Sequence, residues 1–430
     1  MPEIVDNGLP SRAVSLETDR FGYPVRWSIE FRRTALRFFD FQSHVNPEYV
    51  RLCTELRNRI DIHTEQSLGA LTPSDPARTS ALSSALTSVV VVVSFPIRIG
   101  GMRLLLEVAR MIKLSGVEVH IVLRRGASLS GENVSLFDSV IAVADDGGLQ
   151  RYLDSKHWSF ILLGSWVDCA ETAMAVDLSD CSVTIFTAGE PTLNSDSLLD
   201  GRFVHYRNAV LQLPVRILVF SRFMQELIRR VHLRPSYYVP APLDGVFYSV
   251  RALERSSVFR IGLNASLSNP RKGVSCALRS VALLRMRSVP VAVTWISQDR
   301  PKVTLPDYFT LRVDVTPRDV AASLARCDVL LFPSVVEGLG LPPLEAMALG
   351  VPVVLTMNGG AAEYAIGNWN CLVVPGNDVC ALADAAERIR TDASLRNYLV
   401  QNGLRTAARF SWSESRARLS AALACLSAAV

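Results

Sequence analysis

Residues 332–354 read FPSVVEGLGLPPLEAMALGVPVV. An apolar run, a glycine-bearing loop, a helix-compatible segment and a second apolar run predict strand, loop, helix, strand. Gly338 and Gly340 let the backbone approach a ligand closely. Pro342 and Pro343 suit the first positions of a helix. A helix start presents unbonded N–H groups and the positive end of the dipole, which suits a diphosphate. Glu337 in the loop and Glu345 in the predicted first helical turn flank that point. Carboxylates repel phosphate but accept hydrogen bonds from sugar and ribose hydroxyls on either side of it. Taken singly, Glu345 also reads as a complement to the helix dipole and Glu337 as a solvated loop acid. The complete string favours the ligand reading.

The same texture extends in both directions. Downstream of a break, 258–263, 291–297, 309–313, 328–334, 351–356 and 371–375 read as strands. Helices are expected at 273–286, 318–326, 343–349, 378–391, 394–409 and 413–427. Upstream, the continuous apolar run Val89–Val93 starts a second series, with strands at 117–123, 139–143, 159–164, 182–187 and 215–220 and a first helix at 102–114. Alternation of this kind predicts an α/β fold of parallel sheets with helices on both faces. Pro240, Pro242, Asp244 and Gly245 punctuate the chain between the two series. The expected division is an N-terminal extension and linker (1–87), a first Rossmann-like domain (88–240), a linker (241–257), a second Rossmann-like domain (258–410) and a C-terminal helix (411–430) crossing back to the first domain. Two such domains facing each other form a cleft at the C-terminal ends of their strands.

Composition narrows the classes. With 430 residues, 49% hydrophobic and 20% charged, the chain is neither disordered nor fibrous. A formal charge of +4 is too even for a nucleic-acid binder. No apolar run approaches the roughly 20 residues of a membrane span, and the start MPEIVDNGLPSR is no signal peptide. The eight Cys are scattered without a CxxC, which fits a reduced, cytoplasmic protein. The six His are dispersed, and no pair has metal-ligand spacing, so no metal is expected. Of 45 basic residues only four are Lys: Lys113, Lys156, Lys272 and Lys302. A chain that uses Arg almost everywhere keeps a Lys beside Arg271 at a predicted helix start, where a compact ammonium suits phosphate charge.

Residues 20–41 hold Arg20, Arg26, Arg32, Arg33 and Arg37 against two acids, Glu30 and Asp40, with aromatic residues interleaved, among them Phe21, Trp27, Phe31, Phe38, Phe39 and Phe41. Two readings stand: a peripheral contact with anionic lipid at the inner face of the membrane, or an element packed on the first domain with its Arg outward.

These motifs resemble the retaining GT-B glycosyltransferases of family 4. Glu337 and Glu345 match its E-x7-E signature, and NPRKGV (269–274) its K-G motif. SRFMQELIRR (221–230) and YYVPAPLDGVFYSV (237–250) resemble its interdomain stretch. GGAAEYAIGNWNCLVVPGND (359–378) and LRNYLVQNGLRTAARFSW (395–412) resemble its closing segments. SFPIRIGGMRLLLEVARMIKLSGVEVHIV (94–122) resembles its first loop, helix and strand. The resemblance covers roughly 88–430, most strongly from 219 onward.

The resemblance implies a GT-B fold and transfer of a sugar from a nucleotide diphosphate sugar (dTDP-, GDP- or UDP-linked) to a glycan or lipid-linked glycan in cell-surface polysaccharide synthesis. Transfer would retain anomeric configuration, with no cofactor and no metal. Glu345 would bind the ribose and Glu337 the transferred sugar. Backbone amides of Gly338, Leu339, Gly340 and Leu341 would meet sugar and diphosphate, and Lys272 would neutralise the departing diphosphate. Gly100 and Gly101 would line the cleft from the first domain. The strand ending in Glu190-Pro191 and the EGLGLPPLEAMALG string are similar to rhamnan-type polysaccharide glycosyltransferases, which makes a dTDP-deoxysugar a candidate donor.

Two departures stand out. Where the family places an Arg some six residues before the Lys, residues 264–268 read NASLS, so that either Arg271 or another Arg substitutes or diphosphate binding is weaker. Where many members carry a His, VTIFTAGEP (183–191) has none, leaving Glu190 and Asp168 as candidate sugar or acceptor contacts. These departures keep open a catalytically silent GT-B module that binds glycan or acts as a scaffold. A phosphorylase on the same fold would need a cofactor Lys, for which the second domain offers Lys272 and Lys302. A dinucleotide site is weak, because IRIGGM lacks the G-x-G-x-x-G spacing.

Overall fold

A computed structural model describes residues 87–427, with gaps at 95–99, 125, 130–133, 165–168, 170–171, 174–175, 177–183, 189–214, 233, 251–256 and 302–303. It also describes one antiparallel pair, Glu17–Thr18 with Pro24–Val25. The rest of the arginine-aromatic stretch, Asp168 and Glu190 lie outside the described residues.

The first sheet begins with β1 (Ser88–Val93), whose five consecutive valines are wholly buried. Burial of each contributes roughly 1.5–3 kcal/mol, and an unbroken apolar run is stable only with helices on both faces. The series continues with α1 (Gly100–Lys113), β2 (Glu118–Leu123), β3 (Ser139–Ala142), α2 (Asp146–Leu153), β4 (Phe160–Leu163), β5 (Thr184–Ala188), β6 (Arg216–Val219), α3 (Arg222–His232) and β7 (Tyr237–Tyr238). All seven strands are parallel, in the order β3-β2-β1-β4-β5-β6-β7.

A short helix, α4 (Val246–Ser249), lies in the connection. The second series is β8 (Phe259–Asn264), α5 (Val274–Met286), β9 (Val291–Ser297), β10 (Phe309–Val313), α6 (Pro317–Leu324), β11 (Val329–Phe332), α7 (Leu341–Ala348), β12 (Val353–Thr356), β13 (Leu372–Val374), α8 (Val379–Thr391), α9 (Ala393–Ala408) and α10 (Trp412–Ser427). Its six strands are parallel in the order β10-β9-β8-β11-β12-β13.

Both sheets are doubly wound, and both reverse direction beside their first strand. Ligands of such sheets sit outside the strand C-termini at that reversal. In the second sheet the reversal lies between β8 and β11. The loop after β8 carries Lys272, and the loop after β11 carries Glu337. In the first sheet the loop after β1 leads to Gly100 and Gly101 at the start of α1.

The halves pack on each other through one continuous apolar core that includes Leu105, Leu218, Leu339 and Leu344. The last helix returns to the first half: Trp412 Nε1 donates to Glu107 Oε2 at 2.8 Å, and Arg416 donates to the Leu114 carbonyl at 3.0 Å. No helix among the described residues is long and apolar enough to cross a membrane.

Candidate active site

Lys272 ends a single 3-10 turn, Pro270–Lys272, capped by the Asn269 side chain. Gly273 follows at φ +63°, and a Cβ there would stand 2.0 Å from the Pro333 carbonyl oxygen. Only glycine meets both demands. The turn is therefore clamped against the loop after β11. Val335 N–H donates to the Arg271 carbonyl at 2.7 Å.

That clamp brings Lys272 Nζ to 2.6 Å from Glu337 Oε1. Ser334 Oγ donates to the same oxygen at 2.6 Å. The Glu337 backbone is held on both sides, its N–H to the Asn358 carbonyl at 2.8 Å and its carbonyl by Gly360 N–H at 2.9 Å. The carboxylate is nearly buried, with a charge partner and a neutral donor on one oxygen. Fixing a carboxylate in this way leaves lone pairs with defined directions.

Gly340, at φ +81°, starts α7 without a side-chain cap, and Tyr364 Oη donates to its carbonyl at 2.9 Å. Among the described residues no acceptor meets the N–H groups of Gly338, Leu339, Gly340 or Leu341. Four unpaired amides at a helix start make an anion site.

The sequence placed Glu345 in the first turn of a helix over 343–349; the structure corrects both. The left-handed Gly340 lets α7 begin at Leu341, so Glu345 is its fifth residue and lies beyond the first turn. Its side chain is 3% exposed, and its ion-pair partner is Arg103 of α1, 3.5 Å away across the cleft. Burial pushes the Glu345 carboxyl above the ordinary range; Arg103 opposes this and Asp244 adds to it. Arg103, Glu107, Asp244 and Glu345 line a small cavity of about 20 Å³ between the halves.

The structure thus brings Lys272, Arg271, Glu337 and the 338–341 amides to one switch point, with Glu345 on the helix that follows. Gly100 and Gly101 start the same α1 that carries Arg103. Three contributors were not read from the sequence. Ser334, three residues before Glu337, stood within the opening string but carried no motif. Arg103 gave no local signal, and Asp244 was read only as part of the break between the halves. Among the described residues no group of three or more His, Cys, Asp or Glu side chains could hold a metal ion.

A model of the group 1 glycosyl transferases matches residues 259–392. These are the residues that carry Lys272, Glu337 and Glu345. The matched region lies within the second half of the chain. Among curated relatives, the chain is 32% identical over 121 residues to D-inositol 3-phosphate glycosyltransferase of Stackebrandtia nassauensis, covering 28% of this chain and 27% of that protein. It is 31% identical over 214 residues to MMP alpha-(1->4)-mannosyltransferase of Mycolicibacterium hassiacum, covering 47% of this chain and 51% of that one. The chain thus spans about half the length of these relatives or less. Among solved structures, Anabaena HepE in complex with UDP and glucose superposes with a TM-score of 0.66 at 14% identity, covering 78% of this chain and 98% of that one. Sucrose-phosphate synthase of Thermosynechococcus elongatus gives 0.67 at 16% identity, covering 80% and 100%. At such identities the superposition speaks for the GT-B fold.

Proposed function

We propose that this GT-B chain is a glycosyltransferase that moves a sugar from a nucleotide diphosphate sugar to a glycan or lipid-linked glycan, with retention and without a metal. The observation that carries the reading is Lys272 on Glu337 at 2.6 Å, beside four unpaired loop amides and a helix start. Cation, amides and helix dipole stabilise the diphosphate as its charge develops. Glu337 accepts hydroxyls of the transferred sugar, and Glu345 those of the ribose. The bond from the anomeric carbon to the phosphate oxygen breaks as the bond to the acceptor oxygen forms on the same face. The acceptor's proton passes to the departing phosphate, so no protein nucleophile is required. HepE, solved with UDP-glucose, supports a sugar nucleotide as the donor class. The related mannosyl- and inositol-phosphate transferases support a hydroxylated acceptor. A dTDP-deoxysugar stays among the donor candidates on the resemblance of 337–350 and of the segment ending in Glu190-Pro191.

The test is a thermal-shift panel of UDP, GDP, dTDP and ADP, free and sugar-linked, on wild type and Glu345→Ala. A ligand that binds only the folded state at about 100 times its Kd stabilises by roughly 2.7 kcal/mol. One nucleotide is expected to raise the midpoint of the wild type and not of the variant. No shift with any of them overturns the donor site and favours a silent glycan-binding module.

A further inference from the structure

The SRFMQELIRR stretch has no role in the reaction so far, and the GGAAEY stretch has only steadied the donor loop through Gly360 and Tyr364. The structure brings them together. Ser221, between β6 and α3, is wholly buried. Its Oγ accepts from Met224 N–H at 3.2 Å, capping α3, and donates to the Gly338 carbonyl at 2.5 Å. One hydroxyl thus ties the start of a first-half helix to the donor loop of the second half.

The adjoining contacts close a ring. Glu363, from the 3-10 turn Gly360–Glu363, accepts from Arg222 N–H through Oε2 and from Tyr238 Oη through Oε1, both at 2.7 Å. Gly360, at the head of that turn, packs so tightly that a Cβ would stand 2.4 Å from Leu339 N and Cα. Loop, turn and helix start therefore fix one another. Hydrogen bonds to a buried carboxylate are stronger than neutral ones, and a dry setting strengthens them further.

The peptide plane supplies the consequence. The Gly338 carbonyl and the Leu339 N–H belong to one planar trans peptide and point in opposite directions. Holding the carbonyl toward Ser221 turns the Leu339 N–H away from it. That N–H is one of the four the proposed function gives to the donor. We propose that Ser221 is a positioning residue: through the Gly338 carbonyl, the first half of the molecule sets the direction of a donor-binding amide in the second half. The catalytic side of this inference rests on the proposed function; the tether itself does not.

The test uses the full chain with Ser221→Gly and Ser221→Thr. Glycine is nearly as good as serine at a helix N-cap, so α3 is kept while the hydroxyl is lost. If that variant does not fold, Ser221→Cys, a weaker donor of similar size, takes its place. Amide hydrogen exchange at Glu337 and Gly360, whose bonded N–H groups flank the tethered peptide, is expected to quicken roughly 2–10-fold in Ser221→Gly, as for loss of one hydrogen bond. Thr, which keeps the hydroxyl, recovers the slow exchange. With a donor identified, kcat falls about 10–100-fold, as for a loop misplaced by about 1 Å, while donor KM moves far less. Unchanged exchange overturns the proposal whatever the turnover. Faster exchange with unchanged kcat overturns it as well. A wild type without transfer activity sinks the proposed function instead, and exchange then decides the tether alone.

Discussion

The surroundings of Glu337 and Glu345 differ more than their shared signature suggests. They stand eight positions apart, and both are nearly buried. Glu337 is held by its own half: Lys272, Ser334 and a backbone fixed on both sides within 3 Å. Glu345 stands in a small cavity, and its one ion-pair partner among the described residues comes from the other half, at 3.5 Å. The first carboxylate takes its direct partners from its own half. The second depends on how the halves meet.

The largest effect is expected where the preorganised region is broken. Lys272→Ala removes the cation aimed at the departing diphosphate, and kcat is expected to fall about 10²–10³-fold, the usual cost of one such group. Lys272→Arg is expected to recover little, because a planar fork does not fit a site built for a point charge. Steady-state turnover with the donor found in the panel checks both. Activity near wild type in Lys272→Ala would remove the distinction between the two regions.

Glu345→Gln probes the other side. An ionised acceptor of ribose hydroxyls is lost, so nucleotide affinity is expected to fall about tenfold or more by calorimetry. The carboxyl's folded pKa lies above its unfolded value because burial outweighs Arg103, while Asp244 adds to the rise. The acidic Glu107 lines the same cavity. The ionised form therefore weakens the fold at neutral pH. That cost shrinks as pH falls through the folded pKa and is gone below the unfolded one. Glu345→Gln should accordingly raise the melting temperature at pH 7 while weakening nucleotide binding. Wild-type affinity should decline on acidification from a higher pH than an ordinary Glu would give. A flat profile in wild type, or a destabilised variant, contradicts this account.

The smallest effect is expected from Arg103→Gln. A partly exposed ion pair is worth at most about 1 kcal/mol. Releasing Glu345 from it should tighten nucleotide binding by roughly 2–5-fold, measured in the same titration. Weaker binding would show instead that Arg103 itself meets the nucleotide.

The alternation of apolar runs and helical patterns identified both doubly wound sheets. The reason is local: strands buried on both faces must be continuously apolar, and VVVVV cannot be read otherwise. Glu337, Lys272 and the glycines were legible because a phosphate loop needs small residues, a helix start and a cation in a short span. The start of α7 was misplaced, since the left-handed Gly340 let the helix take in Leu341 and both prolines. Ser334 was passed over although it lies in the decisive string. Arg103, Asp244, Ser221 and Glu363 act between segments far apart in sequence, and no periodicity reports such partners.

What the sequence by itself determined is the fold class, the order of the two halves and the composition of the donor loop. These follow from short-range patterns: the period of two or 3.6, glycine at tight approaches, proline at a helix start. What only the tertiary structure decided is which groups hold that loop and how its two carboxylates differ. The Lys272–Glu337 pair needs Gly273 packed on Pro333, and the Ser221 tether needs the two halves in contact. The pKa of Glu345 rises because distant segments exclude water from it, and desolvation depends on what surrounds a group in space.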